Sequence, residues 1–269
     1  MRTTEINDLE KILIFGDTHG EFVDDRAYDL MINYNRKVYK PDTIVVNGDF
    51  VDFYSLSKFD KNPERKYNLQ HEIDIANKKF AELRKSFPTA KIYVTKGNHE
   101  IRLQTYFYKH PELSGLDNLK FENLFNFKKN KIKFVDATSE YWKSDSGHLS
   151  LGDTVLMHGD NRSNGARGGK YAAYNTMLNI NYNTVVNHTH KLSVNYYTNS
   201  YVDLFALNTG CLCQVPGMAD FHQGFATFEN VNGKGVNPRT YRINRNRLNS
   251  NMIIDGVKYT SKVKVKNKI

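Results

Sequence analysis

The chain has 269 residues, of which 39% are apolar and 25% charged; this excludes a disordered chain and allows one domain with a large core, or a core domain plus an appendage. The formal net charge is +9, concentrated in residues 239–247 and 258–268, and favours polyanionic partners such as nucleic acid, nucleotides or an anionic surface. No stretch approaches the roughly 20 apolar residues of a membrane-spanning helix, and residues 1–9 lack the basic flank and apolar core of a signal peptide, so a cytoplasmic protein without membrane association is expected.

In chain order, short apolar runs ending in glycine turns come first. Residues 11–15, 43–47 and 91–95 read as strands that run into Gly16-Asp17, Gly48-Asp49 and Gly97-Asn98. Between them lie helical patterns over residues 26–38 and 69–87, the second with Ile73, Ala76, Phe80 and Leu83 at helical spacing. This strand–helix alternation implies βαβ units. Further strands are expected at 132–135, 153–157 and 184–186, interrupted by a Gly-rich loop and helix over 165–180. Strands with hairpin turns are expected over 196–213 and 224–230, and Asp255-Gly256 marks a hairpin. The expected architecture is an α/β, four-layer α/β/β/α sandwich of two mixed sheets flanked by helices. Residues 1–238 form the main domain, and 239–269 form a basic strand or hairpin extension packed on it. The two cysteines, Cys211 and Cys213, cannot build a disulfide framework and read as free thiols in a strand.

Each polar motif sits where an expected strand ends, the edge at which open α/β sheets bind ligands. The motifs are Gly16-Asp17-Thr18-His19-Gly20, Gly48-Asp49-Phe50-Val51-Asp52, Gly97-Asn98-His99-Glu100, His158-Gly159-Asp160 and Asn187-His188-Thr189-His190. Singly, each reads as a turn or a structural histidine; together they hold five of the nine histidines. Asp17 and His19, and likewise His188 and His190, are expected to alternate along extended segments and so share a face. Asp49 can bridge two cations through its two oxygens, Asn98 offers a neutral oxygen and His158 an imidazole. Such mixed ligation suits Mn, Fe, Zn or Ni, with Mn favoured, over Mg or Ca.

In this order the motifs resemble those of the calcineurin-like metallophosphoesterases, over about residues 12–190. The resemblance implies a β-sandwich flanked by helices and two divalent metals, one held by Asp17, His19 and His190, the other by Asn98, His158 and His188, with Asp49 bridging. It implies that His99 stabilises or protonates the leaving oxygen, that Asp52 orients His99, and that a metal-bridging hydroxide attacks phosphorus. Three departures stand out: Asn187 replaces the family's usual Gly, Phe53-Tyr54 come after Asp52 in place of the Arg-Gly of protein phosphatases, and a polar, basic insert follows over residues 54–68. The compact form and a richness in Asn, Lys, Tyr and Ile are in the style of phage-encoded members.

Arg102, Arg162 and Arg167 are the candidate substrate contacts, the last two in a Gly-rich basic loop entering a helix, a candidate phosphate cradle. A basic insert after Asp52 carries Lys58, Lys61, Arg65 and Lys66. His71, His110, His148 and His222 lie outside the motifs and read as structural or surface residues. The expected activity is metal-dependent phosphoester hydrolysis, with phosphodiester, nucleic-acid or nucleotide substrates preferred. The alternatives are a phosphomonoesterase, or a non-catalytic nucleic-acid-binding protein on this fold.

Overall fold

Alternation of side chains decides the layers. A computed structural model describes residues 8–62, 68–136, 148–160, 169–216, 220–246 and 249–262. Along the chain its strands are β1 (Leu9–Phe15), β2 (Thr43–Asn47), β3 (Lys91–Thr95), β4 (Ile132–Val135), β5 (His148–Leu151), β6 (Thr154–Met157), β7 (Asn183–Val186), β8 (Leu192–Thr198), β9 (Asp203–Thr209), β10 (Gly224–Val231), β11 (Lys234–Arg242), β12 (Asn244–Arg245), β13 (Asn249–Ile254) and β14 (Val257–Lys262). The helices are α1 (Asp25–Tyr34), α2 (Leu69–Ser86), α3 (Ile101–Lys109), α4 (Phe121–Leu124) and α5 (Ala172–Ile180).

One sheet has the order β11-β10-β1-β2-β3-β4, the other β5-β6-β7-β9-β8. β1 to β4 are mutually parallel, as are β6, β7 and β9, with antiparallel strands at the flanks, so both sheets are mixed. Ile12, Ile14 and Val45 of the first sheet meet Leu156, Val185, Phe205 and Leu207 of the second between the sheets. Their neighbours in sequence, Leu13, Phe15, Ile44 and Val46, point the other way and pack with Ala27, Met31, Ile73, Phe80 and Leu83 of α1 and α2. On the far side Val155, Met157, Val186 and Ala206 pack against Ala172, Ala173, Met177 and Ile180 of α5. The four-layer sandwich is therefore α1/α2, sheet, sheet, α5.

Elements expected at residues 43–47, 91–95 and 132–135 are found at those bounds. The helix expected over 165–180 begins at Ala172, after a 3-10 turn at Gly169–Tyr171. β11 pairs with β10 in the main sheet and carries Arg239 and Arg242, while β12 to β14 form a separate antiparallel sheet. Asp255 and Gly256, at φ 48° and 77°, make the tight turn of its hairpin, and Met252 packs into the core that α1 and α2 cover. Cys211 and Cys213 do not lie in a strand as expected: each makes a single bridge, to Gln223 and Val23. Gly210 turns the chain out of the sheet at φ 74°, where a Cβ would stand 2.6 Å from the His222 carbonyl.

Candidate metal centre

The motif loops lie after β1, β2 and β3 of one sheet and after β6 and β7 of the other. All are C-terminal ends of parallel strands, so the two sheets deliver them to one edge of the sandwich. Close packing explains the glycines. A Cβ on Gly48, which has φ +81°, would lie 2.5 Å from His158 Nδ1, and one on Gly97 would lie 2.4 Å from Asp49 Oδ1.

The segments carrying the candidate ligands are not extended. Asp17, His19, Asp49, His188 and His190 have φ between 47° and 61°, the left-handed region that costs a non-glycine residue roughly 1–3 kcal/mol. Tertiary bonds hold them there: Asp17 N–H donates to the Gly48 carbonyl at 3.1 Å, His19 N–H to that of Asp49 at 2.9 Å, and His188 N–H to Asp17 Oδ2 at 3.1 Å.

The side chains gather in two clusters. In the first, His190 Nε2 lies 3.1 Å from Asp17 Oδ1 and 3.2 Å from His19 Nε2. In the second, Asn98 Oδ1 lies 3.0 Å from His158 Nε2 and 2.8 Å from His188 Nδ1. Asp49 Oδ2 stands between them, 3.0 Å from His158 Nε2 and 3.9 Å from His19 Nε2. Asp17, His19, Asp49, His158 and His190 are buried, whereas Asn98 and His188 are partly open. This donor set fits divalent cations: carboxylate, amide and imidazole lone pairs converge out of water, some facing one another at hydrogen-bond distance. The electrostatics agree. Burial opposes both charges, yet nearby imidazoles hold the Asp49 carboxyl well below the usual carboxylate range. Against the same burial, Asp17 raises His190 to about 10. His188 moves down, through burial and the charge on His158.

His99 is partly exposed. Its Nδ1 donates to the Asp52 carbonyl at 2.9 Å and lies 3.0 Å from Asp52 Oδ1. Burial opposes its charge, but Asp49 and the bond to Asp52 raise its pKa. Its Nε2 lies 3.8 Å from Asp49 Oδ2 and 3.2 Å from Arg102 Nη2. Arg102 is anchored in turn by Nη1 donating to the Asp52 carbonyl at 2.6 Å. Lys61 folds back from the insert after Asp52, donating to the Tyr54 carbonyl at 2.7 Å with its ammonium 5.0 Å from the Tyr54 ring centroid. Arg162, Arg167, Arg65 and Lys66 lie outside the described residues. His222 is a backbone link: its Nδ1 accepts from Leu192 N–H at 3.2 Å, and its own N–H donates to the His190 carbonyl at 2.8 Å.

Two supporting residues were not anticipated. Glu100, fully buried, accepts from the N–H groups of Asp49 at 2.8 Å, Val51 at 3.2 Å and Gly97 at 2.7 Å, tying two motif loops together; burial and the nearby Asp49 carboxylate raise its pKa to about 7. Its place inside a motif was the available signal. Asn47 donates to the Met157 carbonyl at 2.8 Å and to Asn187 Oδ1 at 2.9 Å, linking the two sheets. Asn187 also donates to Thr209 Oγ1 and covers Gly16, where a Cβ would come within 2.7 Å of it. Asn187 thus fills the space beside Gly16 while the histidines after it keep their positions.

Residues 10–206 match the family model of the calcineurin-like phosphoesterases, and the chain belongs to that family. It is a metal-dependent phosphoesterase in this general sense. Among curated proteins it is similar to the gene 54 protein of Mycobacterium phage L5, at 25% identity across 85% of this chain and 92% of that one. It is also similar to the gene 54 protein of Mycobacterium phage D29, at 26% identity across 71% and 73%. Among solved structures it is similar to wild-type Vps29 complexed with Zn2+ from Entamoeba histolytica, with TM-score 0.41, 13% identity, and 94% and 98% of the two chains covered. Vacuolar Protein Sorting 29 from Cryptosporidium parvum gives TM-score 0.41 at 12% identity, with 95% and 97% covered.

Proposed function

We propose that the protein is a two-metal phosphodiesterase acting on nucleic acid or nucleotides. The observation that carries the two-metal reading is the Asp49 carboxylate standing between a cluster of Asp17, His19 and His190 and a cluster of Asn98, His158 and His188. When bound there, a pair of divalent cations, Mn favoured, supplies a clamp on the phosphoryl oxygens and lowers the pKa of water. The chain's own residues do the rest. Asp52 fixes His99 through Nδ1 and, with Asp49, raises its pKa, so the protonated ring hands its Nε2 proton to the leaving oxygen once Arg102 Nη2 has left that nitrogen for the phosphate. Arg102, braced on the Asp52 carbonyl, presents its guanidinium beside that nitrogen and binds a non-bridging phosphate oxygen.

The diester preference is supported by the formal charge of +9 and by Phe53-Tyr54 after Asp52, where a protein phosphatase carries Arg-Gly. We assign the protein to the cytoplasm, where buried free thiols such as Cys211 and Cys213 stay reduced. The test is the metal-loaded protein against aryl monoesters and diesters, cyclic nucleotides, and single- and double-stranded DNA and RNA. Diester cleavage is the expected result. Turnover of monoesters alone overturns the substrate class, and no turnover of any ester by protein carrying two metals favours a binding role.

A further inference from the structure

β9 is parallel to β7, so its C-terminal end reaches the same edge of the sandwich as the ligand loops. The chain leaves β9 through Gly210-Cys211-Leu212-Cys213, a segment that none of the five motifs includes. Leu212 N–H donates to the Asp17 carbonyl at 3.2 Å, and Asp24 N–H donates to the Leu212 carbonyl at 2.8 Å, which docks the segment against the first ligand loop. The Leu212 side chain enters the helix-side core. Cys213 faces a different neighbourhood. Its Sγ, His19 and His190 each offer a donor atom within 4.8 Å of the others, and all three residues are buried. A buried free cysteine usually behaves as a small apolar side chain. Here, however, the thiol is set among imidazole nitrogens at the edge of the Asp17–His19–His190 cluster. For metal–nitrogen and metal–sulfur bonds of about 2.1 and 2.3 Å, donor atoms of one ion stand roughly 3–4.4 Å apart, and the 4.8 Å bound on these three atoms puts the sulfur beside that range.

We infer that Cys213 is a thiolate ligand of the metal held by Asp17, His19 and His190. The inference rests on the two-metal reading. On binding, the thiol proton leaves to solvent and the sulfur adds a negative charge to this site alone. Thiolate ligation replaces the Mn preference expected from oxygen and nitrogen donors alone with one for Zn or Fe at this site, while the second site, with amide and imidazole donors, keeps the harder preference. The two sites are thereby made unlike, and a mixed metal pair is the expected native filling.

The test uses the full chain loaded with Co(II), read by metal analysis and by the sulfur-to-cobalt charge-transfer band in the near ultraviolet. Wild type is expected to bind two cobalt ions and show the band. Cys211→Ser, in which Cys213 is the remaining cysteine, keeps the band; Cys213→Ser loses it and binds zinc at one site at least tenfold more weakly. The Cys211→Ser protein makes the assignment independent of whether the Cys213 variant folds. Two cobalt ions without the band, or a band that disappears in Cys211→Ser, overturns the inference and leaves the two-metal reading standing. Binding of one ion or none overturns that reading itself, and the inference with it.

Discussion

His99 and Asp52 can be separated from the metal ligands by experiment. His99→Ala is expected to retain both metals while kcat falls by about 10²–10⁴-fold, the scale of general acid–base loss. His99 Nε2 lies 3.8 Å from Asp49 Oδ2, so metal analysis of the same variant is needed, and loss of a metal there makes His99 a ligand. Asp52→Asn is expected to give a milder loss, because the Asp52 carbonyl still accepts from Nδ1 at 2.9 Å. Gly48 is a packing constraint of a different kind. Gly48→Ala places a methyl 2.5 Å from His158 Nδ1 in a left-handed backbone, and is expected to cost about 1–3 kcal/mol and to empty the second metal site; thermal unfolding with metal analysis checks both. Asn187→Gly, which restores the usual family residue, removes bonds to Asn47 and Thr209. A loss of about 1–3 kcal/mol with unchanged metal content is expected by denaturant unfolding.

At the scale of elements, Asp24 joins α1 to the segment between β9 and β10 and to the C-terminal sheet. Its Oδ1 caps α1, accepting from Arg26 N–H at 3.0 Å and Ala27 N–H at 3.3 Å. Its Oδ2 accepts from Gln214 and, at 3.0 Å, from Gln223, and lies 3.4 Å from Arg245 Nε of β12. Burial works against this charge, but the bond from Gln223, the Ala27 amide and the two arginines outweigh it and lower the pKa. A carboxyl depressed on folding stabilises above its unfolded pKa, and that contribution is lost as pH falls through the folded value. Asp24→Asn keeps a helix-capping oxygen yet loses the charge, so it is expected to cost about 1 kcal/mol or more at neutral pH. The gap to wild type should start to narrow at about pH 4 and close only below the depressed folded value; melting curves from pH 2 to 7 measure it.

For the whole molecule the question is how charge reaches a polyanion. Nucleic-acid binding is expected to weaken linearly in log salt, with a slope of about 0.9 per duplex phosphate contacted. Removing residues 263–269, which hold Lys264, Lys266 and Lys268, should lower that slope and leave small-substrate turnover unchanged. Charge reversal at Arg162 and Arg167 should instead lower turnover. Filter binding and aryl-diester assays across a salt series distinguish the two, and binding insensitive to both changes assigns the lysines to solubility alone.

Apolar runs in residues 11–15, 43–47 and 91–95 by themselves determined the strands, and apolar spacing within 26–38 and 69–87 the helices between them, because those are local preferences read two to four residues apart. The order of the motifs determined the donor types in the same way. Only the tertiary structure decided the rest. His19 and His190 are 171 positions apart and meet at 3.2 Å because two sheets end at one edge. Asp17, His19, His188 and His190, read as extended, are left-handed because bonds to distant loops outweigh their backbone preference. Cys213 entered that edge through the parallel pairing of β7 with β9, a long-range register that no local pattern around Cys211 and Cys213 expresses.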